Sequence, residues 1–372
     1  MNKKIIYGIL QGIVGACIGG LFAYFTLYNQ PKEYALLKLL VGFVLLIVFS
    51  YVHVIIHEAG HLLAGLATGY KFVSFRVGSM MLVKQKGKMV VKKFNLPGTG
   101  GQCLLEAPPL REDGFPCLLY NLGGPLANFF ASAVGLAFYY FLRPDNYYVL
   151  LGLIIFILLG LYIGFMNIIP MKAQGIANDG LNAKVLSRNP DAAKHFWIQL
   201  AVNKLGCDGV EIKDMKEEWF EIEDDKVLED ALATAIGVLK VSRFISRDEM
   251  EKAKSYCRFL LNNSRKIEGI LINEIKCEML FLEIVCGCNK GAIERLYDKN
   301  LKKYINKTKG YVQRQRLLYA YNKFVACNDV EAETAKAKFY KVAEKFPNLG
   351  EVSTEKKIME RLEGKPCDCN NW

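Results

Sequence analysis

The sequence predicts an α-helical polytopic membrane protein with four transmembrane helices, a small membrane-associated β-hairpin and a C-terminal all-α soluble domain of helical hairpins. Three observations lead to this fold class. The 372 residues are 52% hydrophobic, and their mean hydropathy of +0.15 is unusually high for a soluble protein. The apolar residues are concentrated in the first half. Charged residues are concentrated in the second, since only 14 of the 48 Lys and Arg precede residue 181.

Four apolar stretches are each long enough to cross a bilayer, which takes about 20 helical residues. They are residues 5–28, 34–56, 115–142 and 147–169. The first follows Lys3 and Lys4, but it is too long for the apolar core of a signal peptide and no small-residue cleavage site follows it. We therefore interpret it as a retained helix.

The distribution of basic residues predicts the orientation. The segment 70–114 carries eight Lys and Arg, whereas the loops 29–33 and 143–146 carry one each, offset by an acidic residue. The positive-inside rule then places both termini and segment 70–114 in the cytoplasm, as in a multi-pass protein of the cell membrane. The net charge of +11 fits loops that face anionic lipid. No basic stripe with interleaved aromatic residues predicts a nucleic-acid partner.

Between the second and third spans, the residues favour β-structure. Val, Phe and Met are frequent in 71–94, and Lys86-Gly87 in the middle is typical of a turn. We expect a β-hairpin at 70–96 that lies on or dips into the membrane face. Residues 97–101 predict a flexible break, and 106–114 predict a polar lead into the third span.

After residue 180 the apolar residues take a helical period. Candidate helices are 191–205, 225–244, 247–262, 268–285, 310–326 and 329–346. Their spacing resembles a tetratricopeptide-type solenoid, although no consensus repeat is legible. The predicted domains are an N-terminal transmembrane helix at 1–33, a three-helix core at 34–180, a cytosolic helical domain at 181–364 and a disordered tail at 365–372. The 11 cysteines are scattered without a recurring CxxC pair, which favours reduced thiols.

The residues with a chemical signature are His57-Glu58-Ala59-Gly60-His61, at the end of the second span. Histidines four residues apart share one helical face, so both imidazoles can reach one Zn²⁺. The glutamate between them can then take a proton from water on the metal. Ionisable residues near a span are costly and usually functional. The sequence therefore predicts one zinc ion per chain, with Glu58 as the catalytic acid and base.

A catalytic zinc ion needs a third protein ligand and an open position. Asp179 follows the fourth span on the same membrane side as His57, so it can complete the site; alternatively, it caps the next helix. His53 lies one turn before His57, as a rival ligand or a packing residue. Asp113 is a weaker rival. In the third span, the small residues of Gly123-Gly124-Pro125-Leu126-Ala127-Asn128 allow close helix packing, and Asn128 can either stabilise an oxyanion or join helices.

These motifs, with Asn167-Ile168-Ile169-Pro170 and Asn178-Asp179-Gly180 after the fourth span, resemble the site-2 protease family of intramembrane zinc metalloproteases, which are peptidase family M50-like. The resemblance covers roughly residues 34–180. One departure is that eight residues separate Pro170 from Asp179, and that Asn178 stands where many members have leucine. The resemblance implies these roles: zinc ligands His57, His61 and Asp179, catalytic acid and base Glu58, oxyanion or substrate contact Asn128, and substrate contact Asn167.

The function expected from these observations is zinc-dependent hydrolysis of peptide bonds in membrane-spanning substrates or signal-peptide remnants. The exposed edge of the hairpin would accept an unwound substrate as an added strand. The partners would be a transmembrane or membrane-associated peptide, the lipid bilayer, and a cytosolic protein or peptide bound by 181–364. The alternative is a catalytically inactive membrane-anchored interaction protein of the same fold. A zinc transporter is disfavoured because all candidate ligands gather at one membrane face.

Overall fold

The computed structural model describes residues 34–365 apart from 97, 112–113, 174–175, 229, 264–266, 268 and 288, together with residues 15, 19, 20 and 24. The predicted first span, the candidate ligand Asp113 and almost all of the predicted tail lie outside these residues. The chain forms two compact units. The membrane unit contains the chain up to Tyr70 with Gly100–Cys103 and Pro116–Arg188, and the helical unit contains Lys71–Thr99, Leu104–Phe115 and Asn189–Trp372.

Three helices of the membrane unit are long and apolar enough to cross a bilayer, among the part of the chain that the structure describes. They are α1 (Ala35–Ala67), α2 (Cys117–Leu142) and α3 (Tyr147–Ile168). They correspond to three of the four predicted spans. Helix α1 extends beyond the predicted end at residue 56, because nothing in the following residues stops a helix before Thr68.

Helices α1 and α2 approach most closely at a pair of glycines. A Cβ on Gly60 would overlap the carbonyl oxygen of Gly123, and a Cβ on Gly123 would overlap that of Gly60. The methyl groups of Ala64 and Ala127 fill the space beside them. In lipid, helices associate through such close packing rather than through hydrophobicity. The two glycines therefore bring α2 against the turn of α1 that carries His57 and His61.

A four-stranded sheet follows α1 in the chain. Its strands are β1 (Lys71–Val77), β2 (Met80–Gln85), β3 (Lys88–Lys93) and β4 (Gly101–Glu106), in the order β3-β2-β1-β4. Strands β1 and β2 are antiparallel, as are β2 and β3. The tight turn between β2 and β3 has positive φ at Lys86 (48°) and Gly87 (80°), as the predicted turn requires.

The predicted hairpin is thus part of a larger sheet. Strand β4 lies between the predicted break at 97–101 and the predicted polar lead at 106–114, in residues for which no element was predicted. Its buried residues, Cys103 and Leu105, alternate with half-buried ones, but a strand of this length between glycine-rich residues gives too weak a pattern to predict.

The helical unit is built almost entirely of α-helices beyond residue 189. They are α5 (Pro190–Cys207), α6 (Asp224–Val227), α7 (Ala231–Ser246), α8 (Met250–Asn262), α9 (Gly269–Val285), α10 (Lys290–Leu296), α11 (Lys299–Lys307), α12 (Val312–Phe324), α13 (Asp329–Lys345) and α14 (Leu349–Gly364). The core surrounds α9, whose residues Leu280, Phe281 and Leu282 are fully buried. Five of the six predicted helices are present with shifted ends, and the predicted helix 225–244 is divided into α6 and α7. Helices α10, α11 and α14 were not predicted. A tetratricopeptide-type repeat stays a prediction.

The cysteines differ from expectation in one respect. Cys327 is disulfide-bonded, so the prediction of uniformly reduced thiols is wrong. Free thiols among the described residues are Cys103, Cys117, Cys207, Cys257, Cys277 and Cys286.

Candidate metal centre

Two histidines of α1 and one aspartate meet at a single point of the membrane unit. The Asp179 Oδ2 atom lies 3.0 Å from His57 Nε2 and 3.4 Å from His61 Nε2, and the two Nε2 atoms are 3.2 Å apart. Within the described part of the chain, this is the only group of three metal-ligating side chains whose ligand atoms all lie within 4.8 Å of one another. The structure therefore brings together the three ligands that the sequence predicted.

The hydrogen bonds of the imidazoles fix which nitrogen of each carries the proton. His57 Nδ1 lies 2.7 Å from Asn128 Oδ1, and His61 Nδ1 lies 2.7 Å from the Tyr120 carbonyl oxygen. The orientation of the Asn128 amide is itself fixed, because its Nδ2 donates to the His53 carbonyl at 3.0 Å. Since both partner oxygens can only accept, each ring carries its proton on Nδ1. Both Nε2 lone pairs are then directed toward Asp179.

Three lone-pair atoms therefore converge with no proton to share between them. The Asp179 Oδ2 atom is buried and has no hydrogen-bond donor, and His57 and His61 are only 9% and 8% exposed. Buried lone pairs of this kind are costly unless they are satisfied. Two imidazole nitrogens and a carboxylate oxygen are the ligands that a catalytic zinc ion takes in proteins. The residues present thus fit a divalent cation such as Zn²⁺.

A glycine in α2 leaves the space for such an ion. A Cβ on Gly124 would overlap His61 Nε2 and His57 Nε2. The backbone of α2 consequently forms one wall of the centre, at a position where any larger residue would enter the ligand cluster. The sequence motif predicted close helix packing at this glycine, and the structure adds that it borders the ligands.

The third ligand reaches the centre through a short hairpin. Residues between Pro170 and Asn178 form strands β5 (Lys172–Ala173) and β6 (Ile176–Ala177), which pair in antiparallel fashion. The Asn178 backbone N–H donates to the Met171 carbonyl at 3.0 Å, so the chain returns to the end of α3. The additional residues of this chain relative to the family pattern are absorbed in that hairpin, and Asp179 is not displaced.

The Asn178 side chain holds the start of helix α4 (Asp179–Leu186) in place through hydrogen bonds. Its Oδ1 accepts from the backbone N–H groups of Met171 and Leu181, each at 3.0 Å. Its Nδ2 donates to the carbonyls of Met166 at 2.8 Å and Ile169 at 2.6 Å. Asn178 is therefore the N-cap of α4 and places Asp179 in the first turn. The sequence motif alone indicated no role for Asn178, although an asparagine before a helix is a recognisable cap signal.

The electrostatics of Asp179 fit a site for positive charge. Burial raises the pKa of its carboxyl, but when the His57 or His61 ring is protonated, its hydrogen bond and positive charge outweigh burial and lower that pKa to about 2. A positive charge at this point, whether a proton on a ring or a bound cation, therefore keeps Asp179 ionised at neutral pH.

Glu58 lies beside these ligands and against the sheet. Its side chain is 8% exposed, and a Cβ on Gly101, the first residue of β4, would overlap its carboxylate. Burial raises the pKa of the Cys103 thiol to about 12, and the charge of Glu58 adds to the effect. The carboxylate of Glu58 is thus close to the first residues of β4.

The remaining predicted residues have other contacts. Asn128 is fully buried, and its Nδ2 donates to both the carbonyl and Nδ1 of His53, at 3.0 and 3.1 Å. The amide orients His57, and both of its N–H groups are engaged. His53 Nε2 bonds the Phe156 carbonyl at 2.8 Å, so the rival ligand His53 is a hydrogen-bonded packing residue. Asn167 donates to the Ile163 carbonyl at 2.9 Å within α3.

Comparison with known proteins identifies the family to which this region is related. Residues 34–204 match the protein-family model described as Peptidase M50B-like. This match confirms the resemblance to the site-2 protease family that the three motifs indicated, and it includes all the ligands described above. No curated protein and no solved structure shows a significant match to the chain.

Proposed function

We propose that this chain is an intramembrane zinc metalloprotease that hydrolyses peptide bonds of membrane-spanning substrates or signal-peptide remnants near the cytoplasmic face. The observation that carries the proposal is the convergence of three proton-free ligand atoms from His57, His61 and Asp179. His57 and His61 are on an apolar helix that is long enough to cross a bilayer. A carboxylate, Glu58, is adjacent to it in the chain and is nearly buried.

The roles of the protein groups follow from this geometry. His57 and His61 would hold the metal through Nε2, and Asp179 through its carboxylate. A zinc ion, when bound, supplies Lewis acidity that polarises the scissile carbonyl and lowers the pKa of water. Glu58 takes the proton of the attacking water and passes it to the leaving amine. Asn128 and the Tyr120 carbonyl keep each imidazole in the tautomer that presents Nε2.

The edge of the sheet supports a mode of substrate binding. Strand β4 is at one end of the strand order, and its first residue packs against Glu58. A substrate helix pairs its backbone amides internally and must unwind before a peptide bond can be attacked. Addition of the unwound segment to an edge strand would satisfy those amides where water is scarce. We assign this role to β4 at Gly101–Cys103 rather than to the edge of the 71–94 hairpin.

The orientation and the partners extend the proposal. The basic residues of segment 70–114 support a cytoplasmic location for both termini of a multi-pass cell-membrane protein. The helical unit after residue 189 would bind a cytosolic protein or peptide, either a substrate segment or a regulator. Asn167, at the last turn of α3, stays a proposed substrate contact.

The test compares the native chain with Glu58→Gln, both purified as full chains in detergent and both expressed in cells. Glu58 ligates nothing in this arrangement, so we expect zinc content to be unchanged. Loss of a general base lowers the rate by about 10²–10⁴-fold, so uncut membrane peptides should accumulate in cells that express the variant. Elemental analysis and membrane peptidomics measure the two quantities.

Glu106→Gln is the matched control, because Glu106 ends β4 and forms only a long ion pair with Lys204 at 3.9 Å. It should cleave as the native chain does. Undiminished cleavage by Glu58→Gln would refute the role of Glu58. A native chain without zinc and without accumulated substrates in the variant would favour the alternative, an inactive membrane-anchored interaction protein of the same fold.

A further inference from the structure

The helical unit contains a cavity that the proposed proteolysis does not use. Its volume is about 210 Å³, which is space for the order of ten water molecules. One wall is apolar and includes Val202 of α5, Met215, and Val238 and Ile245 of α7. The opposite wall is polar and consists of side chains from α9, α12 and α14. A cavity with one apolar wall and a few convergent polar groups is the usual form of a small-molecule site.

The polar wall carries more acidic than basic groups. Glu274 and Glu278 of α9 and Glu351 and Glu355 of α14 line it, together with Arg316 of α12. We call these five residues and Arg314 the charge cluster. Four carboxyl groups thus face two guanidinium groups.

Both arginines of the charge cluster form ion pairs with other members. Arg316 lies 2.5 Å from Glu278 and 3.1 Å from Glu355, and Arg314 lies 2.5 Å from Glu274. Their positive charges are therefore already matched. A surplus of two carboxyl groups remains in the interior.

Two carboxyl groups have unused acceptor atoms. Glu355 is only 5% exposed, and its Oε2 atom is buried without a hydrogen-bond partner. No ion pair reaches the carboxyl group of Glu351 from any residue that the structure describes. The buried Glu355 Oε2 atom is costly without a donor, and the half-buried Glu351 lies on the same helix one turn away. Together the two groups point to a donor that the chain does not supply.

We propose that this cavity binds a small organic cation, an ammonium group on a compact apolar body. The ammonium would donate hydrogen bonds to Glu351 and Glu355, and the body would lie against the wall formed by α5 and α7. An ammonium group has three donors and no acceptor, which fits a pocket of surplus carboxyl oxygens.

The arrangement of the carboxyl groups disfavours a metal ion as the occupant. Metal ions need several ligand atoms at one point. Within the described part of the chain, such a group of three occurs only at His57, His61 and Asp179. The glutamates of the charge cluster are spread along two helices, as suits an organic cation with a body.

Protonation is coupled to this binding. Burial and the nearby carboxylates raise the pKa of Glu351 to about 8. Burial raises that of Glu355 to about 7, although Arg316 opposes the effect. Glu274 and Glu278 from α9 and Arg314 from α12 are the other charged groups that act on Glu351. A bound cation favours the ionised carboxylates, so binding should release protons and strengthen as pH rises.

The test is calorimetric titration of the full chain in detergent with cyclohexylmethylammonium. Cyclohexylmethanol and cyclohexanecarboxylate have the same body with a neutral or a negative head, and neither should bind. Loss of one charge-assisted hydrogen bond weakens binding at least about tenfold, and this is the effect expected for Glu351→Gln. The affinity for the amine should rise by about tenfold between about pH 6.5 and about pH 8.5.

Two further variants separate the contribution of the carboxyl charge from that of the cavity volume to amine binding. Glu360→Gln is the matched control, because Glu360 is on the same helix but exposed, and it should bind the amine normally. Ser242→Leu fills the cavity from α7 without changing its charge; the serine hydroxyl bonds the Val238 carbonyl of its own helix. This variant should lose binding while its circular dichroism stays native.

Either of two results would overturn the proposal. The first is equal binding of the alcohol and the amine, which indicates an apolar cavity only. The second is absence of amine binding, or unchanged binding in Glu351→Gln. Neither result bears on zinc content or proteolysis, so this proposal and the proposed function fail independently.

Discussion

The metal centre and the charge cluster both bury polar groups, but they satisfy them differently. At the metal centre, three lone-pair atoms meet without a donor. In the charge cluster, Arg314 and Arg316 supply donors to the glutamates from within the chain. Buried ions with their own counterions mainly affect folding, whereas buried acceptors without donors indicate a ligand. We therefore expect substitutions at the metal centre to change metal affinity, and substitutions of the paired arginines Arg314 and Arg316 to change stability.

The largest effect is expected from Gly124→Ala. The added methyl group would overlap the Nε2 atoms of both His57 and His61, so the two proposed ligands cannot keep their positions. Zinc content should fall from stoichiometric to near zero in elemental analysis of the purified chain. The strain itself should destabilise the fold by only about 1–3 kcal/mol.

Gly152→Ala is the control for that experiment. Gly152 is also in a membrane helix, but a Cβ there would meet only Phe49 and Leu45 at ordinary contact distances of 3.7–4.0 Å. It should keep zinc. Retention of zinc by Gly124→Ala as well would contradict the location of the metal beside α2.

The next effect concerns the charge cluster. Arg316→Met removes the guanidinium that pairs with Glu278 and Glu355. Glu355 then loses its ion pair, and Glu278 keeps only a long one with Arg314 at 3.8 Å. Breaking a buried ion pair in this way lowers the free energy of unfolding by about 3–5 kcal/mol. Native-state hydrogen exchange of α9 and α12 amides measures the loss, and zinc content should not change.

Arg258→Met provides the comparison for a partly exposed pair. Arg258 is 56% exposed and lies 3.4 Å from Glu283, so its loss should cost at most about 1 kcal/mol. An equally small change in Arg316→Met would mean that the charge cluster does not stabilise the helical unit.

A smaller effect is expected from Asn128→Ala. Asn128 accepts from His57 Nδ1 at 2.7 Å, and loss of such a partner weakens metal binding by about 10–100-fold. Competition with a chelator measures the zinc affinity. Asn121→Ala in the same helix is the control, because the Asn121 amide bonds only the Cys117 carbonyl of α2.

This experiment also separates the two roles considered for Asn128. If it stabilised an oxyanion instead, zinc affinity would be normal and only the rate of cleavage would fall. Weaker zinc binding would assign it to the orientation of His57.

A further effect is a dependence of stability on pH. The pKa values of Glu351 and Glu355 are raised in the folded chain to about 8 and about 7, so the folded state holds more protons than the unfolded state between their ordinary pKa and these values. Stability of the helical unit should therefore fall as pH rises from about 5 to about 8, by about 1 kcal/mol per pH unit and group. Arg314 and Arg316 stay charged throughout.

Hydrogen exchange of α14 amides at a series of pH values checks this prediction. Glu351→Gln should flatten the profile because it removes one of the two titrating groups. A stability that rises over the same interval would show that the two carboxyl groups ionise freely in the folded chain.

The part of the site that depends on residues close together in the sequence was predictable. The spacing of His57 and His61 on one helix face predicts a shared metal, and helix geometry alone brings them together. The apolar runs predicted the three described spans, because bilayer thickness sets their length. The position of Asp179 needed the structure, since only the β5–β6 hairpin and the Asn178 cap show that the additional residues do not displace it.

The sequence by itself determined three of the membrane-length helices, the spacing of the candidate ligand pair His57 and His61, and most of the long helices, because these depend on periodicity and on residues a few positions apart. The tertiary structure decided that Asn128 orients His57 across 71 positions, that β4 is an edge strand, and that four glutamates line one cavity. Such features depend on which distant segments pack together, and that packing is settled by the summed burial of many side chains rather than by any local pattern.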